Sequence, residues 1–128
     1  MSHKLMALVL AFACSSALAE WSRVGNFDNG DFYIDRATIA DREGHREVWS
    51  LMDYHYPKKH GNGQIYRSTR SMLQLNCAQK KARIIHMSFH SGSMLRGDEI
   101  NKMGMLKDWD PVPPDTPIRG ILDLVCRR

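Results

Sequence analysis

Residues 46–77 read REVWSLMDYHYPKKHGNGQIYRSTRSMLQLNC, and this stretch decides the fold. Apolar and polar residues alternate through residues 46–56, which predicts a β-strand. Residues 57–63 contain a proline, two glycines and no apolar side chain, which predicts a turn. The chain then returns as a second strand over residues 64–76, so the whole stretch is predicted to form a β-hairpin.

The same succession of short strands and turns continues on both sides of this hairpin. Before it, strands are predicted at residues 20–27 and 32–35, followed by a turn at 41–44. After it, one strand is predicted at residues 82–89 and a shorter one within 94–100. Strands that follow one another through short turns pair in antiparallel fashion. The sequence therefore predicts an antiparallel sheet of about six strands.

The hydrophobic period changes near the C-terminus. The tripeptide Asp115-Thr116-Pro117 supplies a helix N-cap followed by a proline at the first helical position. Beyond it, four apolar residues recur at the spacing of one helical stripe: Ile118, Ile121, Leu122 and Val125. The predicted fold class is therefore α+β, with one C-terminal helix packed on a face of the sheet.

Length and charge narrow the classes of function. The chain has 128 residues, of which 43% are hydrophobic and 25% charged, as in an ordinary folded protein of one domain. Eighteen Lys and Arg residues against fourteen Asp and Glu residues give a net charge of +4. This excess is much smaller than that of a typical nucleic-acid-binding domain. We therefore expect no nucleic-acid partner and no large catalytic scaffold.

Residues 1–19 have the layout of a secretory signal peptide. A lysine and a short apolar run come first, and the small residues Ala17 and Ala19 precede the cleavage point. The apolar run is about half the ~20 residues needed to cross a bilayer. We expect cleavage after Ala19, export to the periplasm or the outer cell surface, and a single mature domain of residues 20–128 without a transmembrane span.

Cys14 leaves a second kind of processing open. A bacterial lipoprotein is cut just before a cysteine, and residues 11–14 loosely fit that pattern, although Ala11 replaces the usual leucine. Cleavage after the signal peptide instead removes Cys14 and leaves two cysteines, Cys77 and Cys126. An even number of cysteines in an oxidising compartment favours a disulfide over two free thiols. Such a bond would tie the helix to the sheet.

Motifs for catalysis and metal binding are weak in this sequence. Residues 91–93 (Ser-Gly-Ser) lack the G-x-S-x-G elbow of a nucleophilic serine, and Gly61-Asn-Gly63 lacks the remainder of a phosphate-binding loop. His86 and His90 point to one side of a predicted strand but lie about 13 Å apart, too far to share a metal ion. We expect no enzyme and no cofactor, with a small hydrolase or metal-binding protein as the alternative.

The features that suggest binding lie at the predicted hairpin tip. Two lysines and a histidine occur there, and no carboxylate occurs between Tyr54 and Arg70. Aromatic residues beside cations are common in recognition surfaces. The candidate binding residues are Tyr56, Lys58, Lys59, His60, Tyr66 and Arg67. The expected partner is an extracellular protein or an acidic glycan; the alternative is a turn that only keeps the hairpin soluble.

Several short segments follow one another in a recognisable order along nearly the whole mature chain: Tyr33-Ile-Asp35, Val48-Trp49, Asp53-Tyr54, Tyr66-Arg-Ser68, Cys77, Trp109-Asp-Pro-Val-Pro and Val125-Cys126. This order resembles the surface-adhesin protein E family of exported bacterial proteins. The resemblance implies a small antiparallel sheet whose C-terminal helix is tethered by a disulfide. It also implies a non-enzymatic surface protein, since the member that names the family binds host matrix and serum proteins. A periplasmic accessory or stress-related protein of the same fold is the alternative, and a homodimer is left open.

Overall fold

The computed structural model describes residues 19–104 and 108–127. Apart from Ala19, the predicted signal peptide lies outside these residues, and so does Cys14, the site of the alternative lipid attachment. Within the described residues, no helix has both the length and the apolar character needed to cross a membrane.

Seven strands form one antiparallel sheet, so the predicted sheet is confirmed with one short strand added. The first six strands lie in the sheet in the same order as in the chain. The seventh pairs with residues 81–82 of the fifth strand, a part of that strand that does not pair with the sixth. The strands are β1 (Trp21–Phe27), β2 (Gly30–Arg42), β3 (His45–Lys59), β4 (Ile65–Asn76), β5 (Lys81–His90), β6 (Glu99–Gly104) and β7 (Asp110–Pro111).

At the hairpin shared with β4, strand β3 is three residues longer than the sequence predicts, while β4 begins one residue later than predicted. Asp53 pairs with Ser68, and the next pair is Lys58 with Tyr66, so four residues of β3 lie opposite one residue of β4. A bulge of this kind can hold a proline, because its residues need not donate to the neighbouring strand. Pro57 therefore lies within β3 instead of ending it, and the turn is shifted to residues 60–64.

The chain between β5 and β6 is not the start of a strand, as the sequence predicted, but a 3₁₀ turn (Ser93–Leu95). Met94 and Leu95 have φ values of 54° and 64°, in the left-handed region. The carboxylate of Asp53 accepts hydrogen bonds from the hydroxyl of Ser93 (2.8 Å) and from the backbone N–H of Met94 (2.9 Å). The hydroxyl of Ser68 accepts one from the N–H of Leu95 at 2.8 Å. Contacts with distant strands thus hold this strained conformation.

The C-terminal helix α1 (Pro117–Cys126) begins where the sequence predicts. The hydroxyl of Thr116 accepts a hydrogen bond from the backbone N–H of Arg119 at 3.3 Å, and Pro117 takes the first helical position. The predicted disulfide is present: Cys77, directly after β4, is bonded to Cys126, with the two Cα atoms 5.6 Å apart.

The core lies between the helix and one face of the sheet. Its buried residues come from four strands, the chain before the helix and the helix itself: Phe32, Ile34, Val48, Leu73, Leu75, Ala82, Val112, Ile121, Leu122 and Val125. Consecutive side chains of a strand point to opposite faces. Trp49, which follows the core residue Val48, therefore points to the face that the helix does not cover.

Candidate functional site

The predicted binding residues lie on the hairpin that joins β3 to β4. The backbone N–H of His60 donates to the carbonyl of Gln64, and the N–H of Gly63 donates to the carbonyl of His60, both at 2.8 Å. Gly63 has φ +85°, which glycine adopts without steric cost. Lys58 and Lys59 precede this turn and lie within β3, and not in the turn itself as the sequence predicts.

An aromatic cluster supports the hairpin from one side. The centroid of the Phe89 ring lies 4.9 Å from that of Tyr66 and 4.7 Å from that of His60, and the centroids of Tyr66 and Tyr54 are 5.7 Å apart. All three pairs of rings have edge-to-face geometry. His60 Nε2 is 3.1 Å from the side-chain amide nitrogen of Asn101 in β6. His60 and Tyr66 are thus half-buried, and their rings fix the hairpin against β5 and β6.

Arg67 lies opposite the bulge in β3. Its Nη2 points to the carbonyl oxygens of Tyr54 (3.4 Å) and His55 (3.5 Å), which the bulge leaves without partners on β4. Its Nε is buried and has no hydrogen-bond partner among the described residues. This half-buried arginine therefore supports the backbone of the bulge more than it offers charge to a partner.

The accessible side chains of the hairpin include two large apolar ones. Tyr56 is 69% exposed and Ile65 is 49% exposed, more than any other large apolar side chain among the described residues. Lys59 is exposed, and the ammonium of Lys58 lies 5.2 Å from the centroid of the Tyr54 ring. We call Tyr56, Lys58, Lys59 and Ile65 the tip surface. Ile65 was not among the predicted residues, because an isoleucine at the start of a strand is ordinarily assigned to the core.

Two carboxylates, those of Asp31 and Asp53, lie near the bulge in the register of the strands. Both already accept hydrogen bonds within the protein. Asp31 accepts a hydrogen bond from Arg23 at 2.8 Å and lies 3.2 Å from the ring of His55. The hydrogen bond from Arg23, and after it the contact with His55, lowers the pKa of Asp31. Asp53 is bonded to the hydroxyl of Ser93. The cations of the tip surface therefore have no carboxylate within 4.0 Å among the described residues.

The remaining histidines do not form a metal site in the part of the chain that is described, where no cluster of three His, Cys, Asp or Glu residues occurs. His86 pairs with Met72 and His90 with Ser68, four positions apart on β4, so the two rings are separated along the strand as expected. His90 Nε2 lies 2.8 Å from the hydroxyl of Ser88, and burial lowers the pKa of His90.

Comparison with known proteins identifies the family. The family model described as Surface-adhesin protein E matches residues 21–127. The fold is similar to the structure of Haemophilus influenzae protein E, with a TM-score of 0.59 and 17% identity over 82% of this chain and 83% of that chain. It is also similar to protein E from non-typeable Haemophilus influenzae, with a TM-score of 0.58 and 16% identity over 88% and 79% of the two chains.

No curated protein sequence matches the chain. At the identities of the two solved structures, the similarity establishes the fold alone. The family match is broader evidence, because it extends from the first residue of β1 to the residue that follows the helix and includes both cysteines of the disulfide. The protein therefore belongs to the surface-adhesin protein E family.

Proposed function

We propose that this protein is an exported, non-catalytic binding module that attaches to extracellular matrix or serum proteins through its tip surface. The observation that carries the proposal is Tyr56, a large aromatic side chain that is 69% exposed on a bulge beside two lysines. Membership of a surface-adhesin family supports binding over catalysis as the role of the fold.

The chemistry of the tip surface favours a protein partner with an acidic surface. Tyrosine contributes a large contact area at a low cost in side-chain entropy, and it can also donate or accept a hydrogen bond. Ile65, which pairs with Lys59 beside the turn, adds apolar area to the same surface. Lys58 and Lys59 give the tip surface a positive field, because the chain has no carboxylate between residues 54 and 70.

The support beneath the tip surface also suits a binding role. His60 and Tyr66 pack on Phe89, so the hairpin is fixed to β5 instead of extending freely from the sheet. A surface that is already ordered loses less entropy when a partner binds. Tyr56 lies in the bulge and has no paired residue on β4. Arg67 supports the backbone of the bulge through its hydrogen bond to the carbonyl of Tyr54.

Charge reversal at the tip surface tests the proposal. The variant with Lys58→Glu and Lys59→Glu should bind immobilised basement-membrane matrix and serum proteins at least about fivefold more weakly than the parent. The parent's binding should also weaken between about 50 mM and about 500 mM salt, because the Debye length falls to about 4 Å. The melting temperature should stay nearly the same, since exposed charges contribute little to stability.

The matched control reverses two lysines at the other end of the sheet. Lys80 and Lys81 lie at the turn between β4 and β5, about 36 Å along β4 from the hairpin tip. The variant with Lys80→Glu and Lys81→Glu has the same net charge as the tip variant and should bind like the parent. Equal losses in both variants, or none in the tip variant, would exclude the tip surface as the binding site.

A further inference from the structure

A second concave region lies on the face of the sheet opposite the helix. It is a groove of about 450 Å³, within the range of about 300–1,000 Å³ that is typical of ligand clefts. Four adjacent strands contribute side chains to it: Trp49 from β3, Arg70 from β4, His86 and Ser88 from β5, and Glu99 and Lys102 from β6. No residue of the tip surface lines the groove.

The register of the strands places two cations on either side of a small residue. Arg70 pairs with Ser88, and Ser88 pairs with Lys102, so the three side chains form one row across β4, β5 and β6. Paired residues of antiparallel strands project to the same face, and neighbouring strands are about 4.8 Å apart. The Cα atoms of Arg70 and Lys102 are therefore about 10 Å apart, with only a serine side chain between them.

The guanidinium of Arg70 stacks on the ring of Trp49 but has no hydrogen-bond or ion-pair partner among the described residues. Its central carbon lies 3.6 Å from the centroid of the Trp49 ring. It donates no hydrogen bond to a described residue, and no described carboxylate lies within 4.0 Å of it. Stacking occupies the flat face of a guanidinium and leaves the N–H groups along its edge available for bidentate bonds to an oxyanion.

Burial and nearby carboxylates have opposite effects on the pKa of Arg70. Burial lowers the pKa of Arg70, while the carboxylates of Asp35 and Glu99 raise it, and an arginine stays charged in either case. The nitrogens of Arg70 are not among the buried atoms without a partner, so they are accessible from the groove and can bind an anionic oxygen of a ligand. Lys102, which is exposed on the edge strand β6, would contact the same anion from the other side.

We propose that this groove binds an acidic polysaccharide, with a sulfate or carboxylate group of one sugar unit held between Arg70 and Lys102. The ring of His86 is exposed and lies within 25° of parallel to that of Trp49, with the two centroids 6.4 Å apart, and it presents a flat surface on which a sugar ring can pack. The carboxylate of Glu99 can accept hydrogen bonds from sugar hydroxyl groups, which an inorganic anion lacks. These three features together match an anionic sugar better than a simple ion or an acidic peptide.

Titration with a heparin-derived hexasaccharide at about 50 mM salt tests the proposal on the disulfide-bonded chain. The variant with Arg70→Gln and Lys102→Gln should bind at least about tenfold more weakly than the parent. The control variant with Lys80→Gln and Lys81→Gln removes the same amount of charge at the turn between β4 and β5, and its affinity should change less than about threefold. A result in which the parent fails to bind, or both variants lose affinity equally, would overturn the proposal.

Two further variants keep the test informative if the double variant is poorly folded. Lys102→Gln changes one exposed side chain on an edge strand, and it should lower the affinity severalfold without a change in melting temperature. Arg70→Lys keeps the charge but loses the stacked, bidentate geometry, so it should also bind severalfold more weakly. Wild-type affinity in both variants would refute the site.

Competition separates the polysaccharide from other anions. Inorganic sulfate and a polyglutamate peptide of matched charge should displace the hexasaccharide only at much higher concentrations, because neither has a sugar ring to pack on His86. If either competes equally well, the groove is a general anion site or a peptide site and the proposal is wrong. These results are independent of the tip-surface experiment, since the matrix and serum proteins are tested with different variants.

Discussion

The guanidinium of Arg46 donates a hydrogen bond to the carbonyl oxygen of Val125 at 2.5 Å, and this bond joins the start of β3 to the end of the helix. The last four carbonyls of a helix have no partner within the helix. Arg46 is itself held by Asp41, which accepts a hydrogen bond from its Nε at 2.9 Å. A cation from the sheet thus caps the negative end of the helix dipole.

The Arg46→Met variant, which keeps much of the side chain's apolar length, should be less stable than the parent by about 1–2 kcal/mol, because a charged hydrogen bond is lost and a carbonyl is left without a partner. Urea unfolding followed by circular dichroism measures this loss. The control is Arg42→Met, which removes a 60% exposed side chain that pairs with Glu47 at 3.2 Å and should cost less than about 1 kcal/mol. Equal losses in the two variants would contradict the helix-capping role.

The disulfide should account for much of the stability that holds the helix. Cys77 and Cys126 are 49 positions apart, and closure of such a loop stabilises a fold by up to about 4 kcal/mol on the loop-entropy model. Replacing both cysteines by serine should lower the free energy of unfolding by a large part of that amount. The helix should loosen first while the sheet persists, which amide hydrogen exchange can resolve by segment. Uniform loss of protection across sheet and helix would contradict this order.

Gly30 is packed too closely against β3 to accept any side chain. A Cβ atom at this position would lie 2.1 Å from the carbonyl oxygen of Asp53, which is part of the backbone and cannot move aside alone. Gly30→Ala should therefore destabilise the protein by at least about 2 kcal/mol. At Gly61 in the hairpin turn, an added Cβ meets nothing within 4 Å, so Gly61→Ala should be neutral or stabilising by up to about 1 kcal/mol. Thermal unfolding of the two variants gives the comparison.

Glu47 should make the protein sensitive to acid. The hydrogen bond from Gln74, at 2.8 Å, and then that from Arg42 lower the pKa of Glu47, against the opposing effect of burial. A carboxyl group whose pKa is lower in the folded state stabilises the protein above its unfolded pKa, and this contribution is lost as the pH falls through the folded value. The parent should therefore lose more stability than Glu47→Gln when the pH is lowered from about 6 to about 3.

Urea unfolding at both pH values measures the acid effect. Glu43→Gln is the matched control, since Glu43 lies in the exposed turn before β3, and it should lose as much stability as the parent. If Glu47→Gln loses as much stability as the parent, the acid sensitivity does not arise at Glu47.

Processing of the N-terminus is a further expected outcome. The small residues Ala17 and Ala19 predict cleavage that leaves Glu20 as the first residue of the exported protein. Intact-mass measurement of protein recovered from the cell envelope checks this. A lipid-modified Cys14 at the N-terminus would replace the signal-peptide prediction by a membrane-anchored form, and protease treatment of intact cells would then show on which side of the outer membrane the domain lies.

Features set by neighbouring residues could be predicted from the sequence. The N-cap at Thr116, the proline after it and the apolar stripe of the helix are local patterns, and the structure confirms them. The disulfide was predictable because only Cys77 and Cys126 would remain after removal of the predicted signal peptide. Turn residues near the ends of the strands predict the hairpins, and the succession of hairpins predicts the antiparallel sheet, which the structure confirms.

Features that depend on strand register could not be predicted. The bulge in β3 exists because of the way β3 pairs with β4, and Pro57 was therefore interpreted as the end of a strand. The row formed by Arg70, Ser88 and Lys102 joins residues that are distant in sequence. They lie side by side only because of the register between β4 and β5 and between β5 and β6. The left-handed backbone of Met94 depends on Asp53, which is 41 positions earlier.

Because the sheet follows the order of the chain, the strands can pair in the order in which they are synthesised. Each strand from β2 to β6 finds its partner already present when it emerges, so pairing can proceed one hairpin at a time. The helix is different, since it packs beside β1, β2 and β3 and its cysteine closes on the end of β4. Completion of the core and formation of the covalent bond therefore wait for the helix and Cys126, which makes the disulfide a marker of a chain whose sheet and helix have docked.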